Sequence, residues 1–167
     1  MIIRPAQPHD LEPLLPLYHA LYETLGGYGL PYTLERDGLK RTLSAFLSSR
    51  HCRVSLAVEG EEIVGFLASS VLRMERKFTY RGTSSLGMIH DLYVNPACRG
   101  QSVARHLLAD AEQWLQSQGV LMVQCHVVSG NEEGAAFWTR HGYDAISTLR
   151  AKSLCPPKEA LHVVSPE

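Results

Sequence analysis

Two apolar runs, Leu86–Val94 (LGMIHDLYV) and Leu121–Val128 (LMVQCHVV), flank one amphipathic segment. In that segment Val103, Leu107, Leu108, Ala111, Trp114 and Leu115 recur at helical spacing, and Gly119 closes it. A strand, a crossover helix and a second strand in one sheet place the two strands parallel, with a right-handed connection. Leu121–Val128 is almost continuously apolar, the pattern of a strand buried on both faces. Just upstream, Arg53–Val58 and Ile63–Arg73 are joined by Glu59-Gly60-Glu61, which spells a hairpin and hence antiparallel pairing. A chain holding both units is bound to a mixed sheet.

The remaining elements complete an α/β (α+β) chain. Ile2–Ala6 reads as a first strand. Asp10 is placed to cap a helix carrying Leu11, Leu14, Leu15, Tyr18, Leu21, Tyr22 and Leu25 on its buried stripe. Pro13 fits its first turn, whereas Pro16 is expected to bend it or delay its start. The Gly- and Tyr-rich loop Gly26–Tyr32 leads to a second helix, Leu34–Ser49, with Leu39, Leu43, Phe46 and Leu47 on one face. Lys77–Ser85 is a polar connection. Glu132–His141 is a short helix with acid first, base last and Gly142 as its stop. Tyr143–Leu154 is expected to form a last strand. The order β α α β β β α β α β, without repeats or linkers, makes residues 1–155 one domain and residues 156–167 a coil tail.

The net charge of -1 supplies no basic field for nucleic acid or an anionic membrane. No apolar run approaches the roughly 18 to 20 residues of a membrane span. The opening MIIRPAQPHD lacks the apolar core of a signal peptide, so a cytoplasmic location is expected. Cys52, Cys98, Cys125 and Cys155 are too dispersed for a zinc knuckle or redox dithiol, and no H-x-x-x-H pair occurs, so no metal is expected. Cys125 and His126 are neighbours on a strand and so point to opposite faces. Neither a Walker loop nor a G-x-G-x-x-G dinucleotide fingerprint is present, which disfavours kinases, GTPases and NAD enzymes.

The segment NPACRGQSVARHLL links the strand Leu86–Val94 to the helix after it. A helix start leaves backbone N–H groups unpaired and carries partial positive charge, so it binds anions where the loop allows approach. Gly100 permits that approach, Arg99 and Arg105 add charge, and Ser102 carries a hydroxyl. The same residues also suit a plain loop capped by Ser102.

Read with its flanks, LYVNPACRGQSVARHLLADAEQWLQSQG resembles motif A of the GNAT acyl-CoA N-acyltransferase superfamily. Arg99, Gly100, Gln101, Ser102, Val103 and Ala104 fill the six positions of [RQ]-x-x-G-x-[GA], with Ser102 where glycine is usual. NEEGAAFWTRHGY, Asn131–Tyr143, resembles the family's later helix. It matches at Asn131, Phe137, Gly142 and Tyr143 and departs at Gly134 and Trp138, where alanine and tyrosine are usual. IIRPAQPHDLEPLLPLY and SLAVEGEEIVGFLA resemble the family's opening and hairpin.

The resemblance implies a mostly antiparallel mixed sheet flanked by helices, with a splayed parallel strand pair forming an acyl-CoA cleft. It implies acetyl-CoA as co-substrate. Main-chain groups of Leu92, Tyr93 and Val94 would pair with its pantetheine arm, and Arg99–Ala104 would hold its pyrophosphate. Asn131, Phe137 and Trp138 would border the thiol end. The implied reaction is acetyl transfer to a primary amine of a small molecule or peptide by direct attack in a ternary complex. His90 and Asp91 are the candidate bases. They fall on opposite faces unless a bulge intervenes, and a bulge is common in this strand of the family. A backbone N–H near Leu92 or Tyr93 would serve the oxyanion.

Trp138 cannot replace an acidic tyrosine, which leaves Tyr93 and Tyr143 as substitutes. Tyr18, Tyr22, Tyr28 and Tyr32 fall where relatives line the acceptor pocket, although helical spacing explains Tyr18 and Tyr22 equally as core. Arg73, Arg76, Lys77 and Arg81 suit either an acidic acceptor or a solvated hairpin. A homodimer through the last strand and tail is compatible with the family. The alternatives are a CoA-binding module with little or no transfer and an unrelated α/β nucleotide-binding protein. CoA at about one hundred times its Kd should raise Tm by roughly 5 to 10 °C, against little change with ATP or NAD. Absence of that shift at millimolar CoA would exclude both the transferase and the CoA-binding module.

Overall fold

The computed structural model describes residues 1–154. Its elements are β1 (Ile2–Pro5), α1 (Leu11–Gly27), α2 (Arg36–Ser48), β2 (Cys52–Glu59), β3 (Glu62–Arg73), β4 (Ser85–Val94), α3 (Val103–Ser117), β5 (Val123–Cys125) and α4 (Glu132–Arg140). The strands form one sheet in the order β1-β2-β3-β4-β5. Every pairing is antiparallel except β4 with β5, which is parallel. This is the mixed, mostly antiparallel sheet flanked by helices that the sequence implies.

Alternation along β2 and β3 builds a core on each side. Leu56, Phe66 and Ala68 face α1 and α2, where Leu14, Tyr18 and Leu43 close over them. Ala57, Leu67 and Ile89 face α3, where Leu107, Leu108 and Ala111 are buried. β3 is covered on both faces through most of its length, as a central strand must be.

Four details differ from expectation. Asp10 sits at the start of α1 but its side chain does not cap that helix. Its carboxylate instead takes two hydrogen bonds from Arg4 at 2.7 and 2.8 Å and one from the Gln7 N–H. That grip holds the carboxyl below its usual range and ties β1 to the entry of α1. Pro16 neither delays α1 nor ends it. It lies on the exposed side, where the carbonyl it frees can face water.

β5 is the third difference. Only Val123–Cys125 is strand, and it is half-buried instead of covered on both faces. Its pairing with β4 runs from Gly87–Val123 to Ile89–Cys125 and stops there. Fourth, Tyr143–Leu154 is not a strand. Its sheet neighbour would be the three-residue β5, too short a ladder to offset ordering a further strand. Ile146 and Leu149 therefore stay 72% and 78% exposed. Cys155 and the tail 156–167 lie outside the described residues.

Candidate functional site

β4 pairs with β3 through Ala68–Asp91 and then Ser69–Ile89, so His90 is an extra residue without a partner. That bulge resolves the face of the two candidate bases. Leu92 and Ile89 belong to the α3 side, whereas Tyr93 packs on the α1/α2 side. Asp91 shares the Tyr93 side, since its Oδ1 accepts a 3.0 Å hydrogen bond from the Tyr22 hydroxyl of α1. Without the bulge His90 would point toward α3. With it, the His90 ring meets Phe46 of α2 edge-on at 5.1 Å, and Nε2 lies 2.7 Å from the Ser70 hydroxyl. Both side chains thus stand on one face.

Two cavities meet at this bulge. The first, about 590 Å³, opens where β4 and β5 part. His90–Val94 forms one wall and Cys125–Val128 the other, with Asn131, Phe137 and Trp138 from the start and body of α4. Past Ile89 the β5-facing edge of β4 has no strand paired to it among the described residues, so Leu92–Val94 is a row of main-chain groups facing open space. The second cavity, about 430 Å³, lies between α1 and α2 and includes Tyr18, Tyr22, Tyr32, Glu35, Thr42 and Phe46. His90 and Asp91 are the two residues common to both.

The electrostatics differ between the two groups. Burial pushes the Asp91 carboxyl up to about 6, opposed by the Tyr22 hydrogen bond. Burial, with nearby His126, lowers His90 below its ordinary value, so its ring is neutral at pH 7. The Tyr22 phenol is raised by burial and by the Asp91 charge, and keeps its proton.

At the far end of the first cavity, the loop 99–102 delivers the chain into α3. Arg99 and Ala104 line the cavity, and Arg99 Nε donates to the Val94 carbonyl at 3.4 Å. Gly100 and Ser102 both take the left-handed conformation, at φ 78° and 62°. Ser102 makes no side-chain cap. Its carbonyl accepts from the His106 N–H at 3.1 Å and lies 2.8 Å from His106 Nδ1. Gln101, Ser102, Val103 and Ala104 thus form the turn and first helical residues, whose N–H groups have no carbonyl one turn back.

On the opposite wall, the Asn131 side chain accepts from the Gly134 N–H at 2.9 Å and so caps α4. A Cβ at position 134 would stand 2.5 Å from the Asn131 amide nitrogen, so a larger residue here would shift that side chain. A Cβ on Gly130 would meet the Tyr28 carbonyl at 2.4 Å, so the loop before α4 seats directly on the end of α1. Trp138 is buried between Phe137 and Tyr143, with ring centroids at 5.2 and 4.9 Å. The Tyr143 hydroxyl donates to Glu112 of α3 at 2.8 Å and is not among the lining residues.

The tyrosines divide. Tyr22 touches Asp91, Tyr28 lines the first cavity, and Tyr32, 64% exposed, lines the mouth of the second. Tyr18 is 3% exposed and stacks on Phe66 at 4.2 Å, so its ring is chiefly core. Lys77 pairs with Glu75 at 2.8 Å, and Arg81 lies over Tyr80, as in a solvated hairpin. The sequence reading missed the α2 wall of the second cavity. Phe46 carried a signal for it, but helical spacing classed that residue as core.

The sequence profile of the Acetyltransferase (GNAT) family matches residues 15–143. The chain belongs to that family. This GNAT chain is 27% identical over 144 residues to an aminoalkylphosphonate N-acetyltransferase of Salmonella typhimurium, covering 80% of this chain and 88% of the relative. In fold it resembles the aminoglycoside antibiotic 6'-N-acetyltransferase of Acinetobacter haemolyticus, with a TM-score of 0.75, 21% identity and coverage of 92% and 97%. It also resembles an aminoglycoside N-acetyltransferase solved with CoA, with a TM-score of 0.72, 19% identity and coverage of 92% and 95%. GNAT enzymes use acetyl-CoA, so this one is an acyl-CoA-dependent acetyltransferase. The first cavity is lined by Leu92–Val94 of β4 and, at the start of α3, by Arg99 and Ala104, whereas Gly100, Gln101, Ser102 and Val103 are not among its lining residues. No helix among the described residues is long and apolar enough to cross a membrane.

Ser102 yields a stability test. A left-handed serine costs about 1 to 2 kcal/mol. Glycine relieves that but adds about 0.4 to 1 kcal/mol of unfolded-state entropy. Ser102→Gly should therefore raise stability by roughly 0.5 kcal/mol, while Ser102→Ala should give no gain, as read by thermal or urea unfolding.

Proposed function

We propose that this enzyme acetylates a primary amine of a small molecule or peptide by direct attack within a ternary complex. One observation carries the reading: the cleft beside the open β4 edge and the cavity between α1 and α2 meet at His90 and Asp91. Acetyl-CoA, when bound, supplies the thioester acetyl group. The loop 99–104 would hold the diphosphate, with Arg99, Gly100, Gln101, Ser102, Val103 and Ala104 contributing charge or main-chain N–H groups. Leu92, Tyr93 and Val94 would pair with the pantetheine arm along the strand edge, and a Leu92 or Tyr93 N–H would stabilise the developing oxyanion. Asn131, Phe137 and Trp138 would border the arm on the other side.

The amine enters between α1 and α2, past Tyr22 and Tyr32. Asp91 takes its proton. With its carboxyl at about 6, this group is ionised at neutral pH yet basic enough to matter. Tyr22 fixes one carboxylate oxygen by donating to it, which leaves the other for the amine. Neutral His90, held at Ser70, positions the approach. The Trp138 indole donates no useful proton, and the Tyr143 hydroxyl is committed to Glu112. Neither residue therefore serves as the acid, and a good leaving group permits the thiolate to depart without one.

Asp91→Asn should lower kcat by about 10²- to 10⁴-fold with a smaller effect on KM. In the unsubstituted enzyme kcat/KM should fall as pH drops through about 6, because protonated Asp91 accepts nothing. An unchanged kcat in the asparagine variant would remove Asp91 as the base.

Stability should move the other way. The folded carboxyl titrates higher than the unfolded one, so folding is favoured when the group is protonated and loses that advantage as pH rises from about 4 to about 6. Asp91→Asn should therefore melt above the unsubstituted protein at pH 8 and close to it below pH 4, measured by a thermal scan at each pH.

A further inference from the structure

The two cavities differ in the charges that line them, the first holding Asp91 and Glu133 beside its cations. Arg99 and Arg140 both line the cleft assigned to acetyl-CoA. Among the described residues no lysine or arginine lines the second cavity; its acidic side chains are Glu35 and Asp91, among Tyr18, Tyr22, Tyr32 and Phe46. α2 begins at this cavity, and a helix start is where an anionic group on a ligand would be held. That position is already taken. Glu35 precedes Arg36, and its own carboxylate accepts from the Asp37 N–H at 2.9 Å and the Gly38 N–H at 2.5 Å. These bonds hold the Glu35 carboxyl below its usual range, so it stays ionised. Arg41 comes within 3.5 Å of it but is not a lining residue.

A phosphonate or carboxylate on the acceptor would thus meet two carboxylates, and the nearest cation, Arg41, is already paired with Glu35. A second ammonium would meet the Glu35 carboxylate in a cavity that Tyr32 also lines, and such a ring can hold cations. We infer that the acceptor is an amine carrying a second cationic group, a diamine or polyamine, whose far ammonium is held at Glu35 while its near amine reaches Asp91. This rests on the acetyltransferase reading above and adds a substrate class to it. It separates this chain from the aminoalkylphosphonate enzyme to which it is similar.

The test compares kcat/KM for acetyl-CoA with 1,5-diaminopentane, spermidine, n-pentylamine and 2-aminoethylphosphonate, following thiol release. The diamine and spermidine should exceed pentylamine by about fivefold, the scale of an exposed charge pair, and should exceed the phosphonate by more. In Glu35→Gln, where a side-chain oxygen remains to cap α2, the ratio of diamine to pentylamine should collapse toward one. Raising salt should shrink the same ratio in the unsubstituted enzyme. Equal turnover of diamine and pentylamine, a preference for the phosphonate, or an unaltered ratio in the glutamine variant would overturn the inference and leave the transferase reading standing. Turnover of no amine at all would overturn both.

Discussion

One unpaired residue in β4 sets the geometry of everything around it. If β4 ran in register with β3 throughout, His90 and Asp91 would face different cores, and one would be lost beneath α3. The bulge at His90 puts both on the α1/α2 face. It also puts them within reach of Tyr22 on α1 and Phe46 on α2, so two helices act directly on the strand. The strained backbone of the site lies elsewhere, at the left-handed Ser102 before α3. One strand irregularity thus aims the side chains, and one turn aims the main-chain donors.

The glycines of the β5–α4 region show how close packing serves the cleft. Gly134 leaves room for Asn131 to fold back over its own helix, and Gly130 lets the preceding loop rest on the Tyr28 carbonyl. Together they fix α4 against the end of α1, across the gap between β4 and β5. The cleft wall therefore depends on contacts from α1, the same helix that supplies Tyr22 to Asp91. Anything that loosens α1 should reach both cavities.

Much of this was legible in the sequence, for identifiable reasons. Helical and alternating periodicities located α1 to α4 and the antiparallel strands, because each buries one stripe or face against a core. The order of motifs around Arg99–Ala104 and Asn131–Tyr143 pointed to the family. The misses came where pattern ceases to report environment. Only the Cys125–Val128 end of Leu121–Val128 lines the cleft, and Leu121 is exposed, so the apolar run overstates the length of β5. Tyr143–Leu154 is expected to be a strand but has almost no ladder beside it. Asp10 could cap a helix by position, yet a guanidinium six residues upstream binds it more strongly. The face of His90 could not follow from alternation, since one extra residue inverts it. Phe46 looked like core because a cavity wall on a helix has the same spacing as a packed one.

The early parting of β4 and β5 also bears on how the protein avoids itself. An unpaired strand edge is ordinarily a liability, because another chain can dock on it and begin a continuous sheet. Here the open edge at Leu92–Val94 faces inward, across a gap walled by residues 125–128 and by α4. A flexible ligand arm can thread that gap, whereas a second polypeptide would first have to displace α4. The outer edges of the sheet are β1, four residues long and ending in Pro5, and β5, three residues long, templates too brief to propagate.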